Sequence, residues 1–84
     1  MAIPVARIGD TDSDGNTIVT GSPNVIINGV GVARIGDVDN HHPDTITTGS
    51  GTVFANGIGI ARVGDVDNDH PDTIVTGSPN VFTS

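Results

Sequence analysis

The chain has no cysteine, tryptophan, tyrosine, lysine or glutamate. Each absence removes an option. Without Cys, no disulfide can staple a chain of 84 residues, a size at which a hydrophobic core alone gives marginal stability. Phe54 and Phe82 are the only aromatics, so packing of large rings is also unavailable. Regular backbone packing, a metal or a partner must stabilise the fold instead. Three Arg stand against ten Asp, for a formal charge of −7, and this argues against nucleic-acid binding, because phosphate contacts need Lys and Arg. The same balance argues against a basic membrane-surface helix. Apolar runs are only a few residues long, too short to span a bilayer. The N-terminus, Met-Ala-Ile-Pro-Val-Ala-Arg, lacks the basic and apolar regions of a signal peptide, so synthesis in a cytoplasm is expected.

What is present is one unit stated three times. Ala6-Arg7-Ile8-Gly9-Asp10 returns as Ala33-Arg34-Ile35-Gly36-Asp37 and as Ala61-Arg62-Val63-Gly64-Asp65. Thr17 to Ser22 returns as Thr45 to Ser50 and as Thr73 to Ser78. The second and third copies lie 28 residues apart, and the first lacks one residue after its Asp. Three units in so short a chain imply one body with approximate threefold symmetry rather than three domains. The expected organisation is a single domain over 1–84, with repeats near 3–29, 30–57 and 58–84 and no extension or effector domain.

Twelve Gly and five Pro spread through every unit, and β-branched residues dominate the rest, so no helix is expected. Each unit reads strand, turn, strand, polar loop. Asn28-Gly29 and Asn56-Gly57 sit between apolar runs, the strongest short-range signal for a β-hairpin. The third Asn-Gly is missing. The chain ends at Val81-Phe82-Thr83-Ser84, where the other copies would turn, and begins at Ile3-Pro4-Val5-Ala6, where they have just turned. The last strand should therefore pair with the first and close a ring of three hairpins, in preference to an open stack of repeats.

Three motifs carry candidate chemistry. In Arg-x-Gly-Asp, the Arg and Asp are close enough to pair locally, and Arg7, Arg34 and Arg62 read as structural partners of carboxylates. In Gly-Ser-Pro-Asn-Val and its variants, Ser22, Ser50 and Ser78 recur as turn residues do, and no base accompanies them, so no catalytic residue is assigned and the chain reads as a non-enzyme. The third motif is the acidic loop: Asp10-Thr-Asp12-Ser-Asp14-Gly15, then Asp37-Val-Asp39-Asn-His41-His42-Pro43-Asp44, then Asp65-Val-Asp67-Asn-Asp69-His70-Pro71-Asp72. The first copy opens like an EF-hand calcium loop, but its twelfth position is Gly21 rather than a bidentate Glu, and no helix flanks it. Loose calcium binding by the Asp loops, in a calcium-binding β-repeat module of a secreted or surface protein, is the alternative reading. The favoured one gathers His41, His42 and His70 at the pseudo-threefold axis around one transition-metal ion, with Asp14 or a water completing the shell.

Taken together, the Ala-Arg-x-Gly-Asp, Gly-Ser-Pro-Asn-Val and Asn-Gly elements closely resemble PAAR-repeat proteins, and the resemblance covers essentially the whole chain. The naming segment reads Pro4-Val5-Ala6-Arg7, Gly31-Val32-Ala33-Arg34 and Gly59-Ile60-Ala61-Arg62, so only the first copy keeps its Pro. The resemblance implies an all-β fold: a small cone-shaped pyramid of three hairpin repeats. It implies a structural spike-tip role, capping a trimeric β-helical spike of the VgrG or phage tail-spike type at one chain per trimer, with no homo-oligomer. The location implied is the tip of a phage tail baseplate or of a type VI secretion particle, in transient contact with a target membrane. It also implies a metal, usually zinc on three His and one Cys. Here there is no Cys and no His in the first copy, so His41, His42 and His70 would hold zinc, with iron as the alternative.

Overall fold

The Asn-Gly pairs turn the chain where the sequence places them. Asn28 and Gly29 have φ of 55° and 82°, and Asn56 and Gly57 have φ of 57° and 76°. Positive φ at both central residues is what a type I′ turn requires. The computed structural model describes residues 2–41, 44–68 and 71–84. In it β2 (Ile26–Ile27) pairs with β3 (Val30–Gly31), and β4 (Phe54–Ala55) pairs with β5 (Ile58–Gly59). The third hairpin is made by the two ends of the chain. β1 (Ile3–Pro4) pairs antiparallel with β6 (Phe82–Thr83), Ile3 opposite Thr83 and Pro4 opposite Phe82. The ring closes as expected, and the described residues contain no helix.

The strands are shorter than the sequence suggests, two residues each. Beyond them the chain pairs one bridge at a time, and it changes partner as it goes. Val32 faces Arg7 of the first repeat, while Arg34 faces Ile60 of the third; Val5 faces Arg62. A segment that must travel round an axis cannot keep one neighbour, so no ladder extends.

At the centre lies a closed triangle of backbone hydrogen bonds. Ala6 N–H donates to the Ala61 carbonyl (3.0 Å), Ala33 N–H to that of Ala6 (3.0 Å) and Ala61 N–H to that of Ala33 (2.8 Å). All three alanines are fully buried. Each of the three backbones brings only a methyl side chain to this buried point. Around the triangle pack Ile18, Ile46 and Ile74, one per repeat. A second apolar cluster of Val5, Val32, Ala55 and Ile60 joins the hairpins to it. On the other side each isoleucine bridges an aspartate of a neighbouring repeat: Ile18 to Asp39, Ile46 to Asp67 and Ile74 to Asp12. The sequence of layers is hairpins, apolar clusters, acids. The principal extents of 26, 26 and 22 Å, two of them equal, agree with a threefold axis.

The Arg-x-Gly-Asp segment is a turn. Asp10 N–H bonds the Arg7 carbonyl at 3.0 Å, with Asp37 to Arg34 and Asp65 to Arg62 alike. Gly9, Gly36 and Gly64 between them sit at φ of 97°, 95° and 98°, which explains the glycine in every copy.

Candidate functional site

Each Arg closes on the Asp three residues later. Arg7 Nε donates to Asp10 Oδ2 (3.0 Å), Arg34 Nε to Asp37 Oδ2 (2.9 Å) and Arg62 Nε to Asp65 Oδ2 (2.9 Å). The backbone N–H of the Arg reaches the same oxygen at 2.8 Å in all three. Nη2 also reaches the carbonyl of a glycine in the preceding repeat: Gly77, Gly21 and Gly49 respectively. A threonine hydroxyl from that same neighbour, Thr76, Thr20 or Thr48, donates to the other carboxylate oxygen. The arginines thus have the structural role read from their spacing, and they bind the repeats to one another as well. Burial alone would raise Asp37 and Asp65, but the guanidinium, the threonine hydroxyl and the Arg amide outweigh it and hold both below the ordinary carboxylate value. Hydrogen bonding to the carboxylates raises all three arginines in turn.

Two residues further along, a second ring of acids forms. Asp12, Asp39 and Asp67 are 6%, 5% and 5% exposed, and Asp44 and Asp72 are buried beside them. Carboxylate oxygens of Asp12, Asp67 and Asp72 lie within 4.8 Å of one another, as do those of Asp39, Asp44 and Asp67. The loop backbone supplies part of their hydrogen bonding. Asp12 Oδ1 accepts from Asp14 and Asn16 N–H, each at 2.9 Å, and Asp39 Oδ1 accepts from His41 and Asp44 N–H at 2.9 and 3.1 Å. These Asx-type contacts shape each loop around its acid. Asp39 is raised above the ordinary value, first by burial and then by the neighbouring Asp44 and Asp12, against the two amides.

Of the metal ligands read from the sequence, His42 and His70 lie outside the described residues. His41 is half-buried, with Nδ1 3.0 Å from Asp44 Oδ2. That carboxylate fixes the orientation of the ring, and among the described residues His41 joins neither close group of candidate ligands. Asp14 is exposed and belongs to neither close group of acids. The buried ring was not singled out from the sequence. Its signal was there: an Asp two residues after the paired Asp in all three copies, with all three arginines taken by the first Asp.

At the hairpin end asparagine and serine side chains form a hydrogen-bonded network that the arginines join. Asn28 Oδ1 accepts from Arg7 Nη1 (3.1 Å) and Ser78 Oγ (2.7 Å), and its amide donates to Asn80 Oδ1 (2.8 Å). Asn56 repeats this with Arg34, Ser22 and Asn24. Ser22, Ser50 and Ser78 take the amides of Val25, Val53 and Val81 through their hydroxyls, the turn role expected of them. Outside this network stands a ring of exposed apolar side chains at equivalent positions: Ile26 at 53%, Phe54 at 57% and Phe82 at 51% exposure.

The family model for the PAAR motif matches residues 38–84, more than half of the chain. A comparison with curated proteins finds no match. The motif is associated with spike-tip proteins of contractile injection systems, a structural rather than enzymatic family whose domains bind a metal. On that match, and on the closed ring of three hairpins that carries it, the chain belongs to the PAAR-motif family.

Proposed function

We propose that the hairpin face seats on the end of a trimeric β-helical spike, one chain per spike trimer. The loops of acids and histidines then form the leading tip of a phage tail or type VI secretion particle. The observation that carries this is the ring of Ile26, Phe54 and Phe82. A single exposed apolar residue needs no explanation, but three in register about a pseudo-threefold axis form a patch that a threefold partner can cover. The end of a trimeric β-helix has the complementary problem, an open apolar core and three strand edges. A monomer of three similar faces covers all three at once. The alanine triangle and the Arg–Asp links between repeats suit such a body to axial load. Contact with the target membrane is transient, and the chain works as a single domain without catalysis.

Co-purification with a trimeric spike tests the reading, with one chain per three spike subunits expected; a ratio of three to three contradicts it. Combined Ile26→Asp, Phe54→Asp and Phe82→Asp substitution should abolish capture by the spike while the free protein keeps its melting temperature, because all three side chains are exposed. His41, His42 and His70, with Asp14 as a fourth donor, would hold zinc or iron, which would pin the loops of the tip. Elemental analysis should find about one such ion per chain, and His42→Ala with His70→Ala should release it and lower the melting temperature.

A further inference from the structure

Each Asn-Gly turn brings together two groups that can react with one another. The peptide nitrogen of the glycine can attack the side-chain carbonyl of the asparagine, because the glycine has no Cβ to obstruct the approach. Asn28-Gly29 and Asn56-Gly57 are both exposed, so water reaches them. A Cβ at Gly29 or Gly57 would meet nothing within 4 Å, so packing does not shield either nitrogen. Hydrogen bonds restrain the asparagines instead. Asn28 Oδ1 accepts from Arg7 Nη1 at 3.1 Å and from Ser78 Oγ at 2.7 Å, while Nδ2 donates to Asn80 Oδ1 at 2.8 Å. Asn56 is held by Arg34, Ser22 and Asn24 at 3.1, 2.7 and 2.7 Å. In each case the serine and the second asparagine come from another repeat. The amide can fold back onto its own backbone only by releasing all three bonds.

The third corner of the ring is built differently. Ser84 stands where the other copies have Asn28 and Asn56, and its hydroxyl meets that of Thr52 at 3.0 Å. The reactive pair and the bonds that restrain it therefore occur together at two corners.

We propose that Asn28 and Asn56 are sites of spontaneous hydrolytic modification, and that the hydrogen bonds between repeats gate the reaction. At the first site the Gly29 nitrogen forms a bond to Asn28 Cγ and the Cγ–Nδ2 bond breaks. Ammonia leaves, taking the proton that the glycine nitrogen gives up. Water then opens the cyclic imide at either carbonyl. One product is an ordinary aspartate; the other is its isomer, with the backbone routed through the side chain. Both replace the amide donor by a carboxylate, which sets two acceptors against one another at Asn80. The isomer also adds a backbone carbon to a two-residue turn, and so disturbs the pairing of β2 with β3. Gly57 and Asn56 react in the same way, against Asn24. The inference rests on the turns alone and does not depend on the spike-capping role.

The experiment incubates the full chain in mildly alkaline buffer, either folded or unfolded in guanidinium chloride, and follows the mass gain of amide-to-acid exchange. Cleavage after Arg7, Arg34 and Arg62 places the two sites in separate peptides. Folding should slow the reaction at both sites by about tenfold or more, as expected where several hydrogen bonds must open together. Asn80→Ala removes the acceptor for the Asn28 amide, and should speed reaction at Asn28 while leaving Asn56 unchanged. Asn24→Ala should do the reverse. Both replaced residues are exposed, so the folded ring should tolerate either change. Equal rates in the folded and unfolded chain overturn the proposal, as does an unfolded chain that does not react. Variants that leave their target site unchanged also overturn it, and so do variants that speed both sites alike, since general loosening would then set the rate.

Discussion

Two rings of three aspartates lie two residues apart in this protein, equally buried and opposite in electrostatics. Asp10, Asp37 and Asp65 are 5%, 6% and 5% exposed, and Asp12, Asp39 and Asp67 are 6%, 5% and 5% exposed. Each carboxylate of the first ring faces a guanidinium, a backbone amide and a threonine hydroxyl. Members of the second face one another, Asp44 and Asp72. Asp37 and Asp65 are accordingly held low, while Asp39 is pushed up. Burial does not decide whether an acid stabilises or strains a fold; what it is buried against does. The first ring joins the repeats, and the second gathers carboxylates against one another.

The largest test of that contrast removes a guanidinium. Arg34→Ala leaves Asp37 buried with its charge unanswered and frees a link to Gly21, and it should cost about 3 kcal/mol or more in chemical denaturation. A cost near zero would mean that the pair contributes no more than an exposed one. Acid should next separate the rings in metal-free protein. Asp37 and Asp65 titrate lower folded than unfolded. Their contribution is present above the ordinary value of 3.8 and is lost as pH falls below it through their folded values. Asp39 titrates higher when folded, so its contribution is present below 3.8 and is lost as pH rises through its folded value. Melting temperature should therefore climb as pH is lowered from neutral towards 3.8, then fall below it. A monotonic decline from neutral pH would contradict the raised Asp39.

Smaller effects sharpen the same comparison. Asp39→Asn in chelator should be neutral or stabilising by about 1 kcal/mol, since it removes a repelling charge and keeps the acceptor that His41 and Asp44 amides use. Asp37→Asn, at a site of the same size and burial, should instead destabilise, and the sign of the difference is the readout. Smallest of all, Asp14→Asn should move the stability of metal-free protein by less than about 0.5 kcal/mol, because Asp14 is exposed.

Much of this was legible in the residues. Asn-Gly between apolar runs forces a turn whatever surrounds it, and both such turns formed. The missing third Asn-Gly located the cut in the ring, and β1 pairs with β6 there. Arg-x-Gly-Asp is a contact of short range, so its pairing followed from spacing. Strand length was not legible, because it depends on how soon each segment exchanges one neighbour for another around the axis. The second ring of acids was not legible as a ring either. Its members are separated by nearly thirty residues, and in the sequence they look like the solvated acids of a polar loop.

The sequence by itself determined what is local and what repeats: the turns, the Arg–Asp pairs, the threefold count and the all-β character. Those depend on backbone torsions and on neighbours a few residues away. Only the tertiary structure decided which acids meet. Closing three loops onto one axis brings Asp12, Asp39 and Asp67 out of water and within reach of one another, and it leaves Ile26, Phe54 and Phe82 exposed at the hairpin end. Proximity and desolvation belong to the closed ring, and no single repeat contains them.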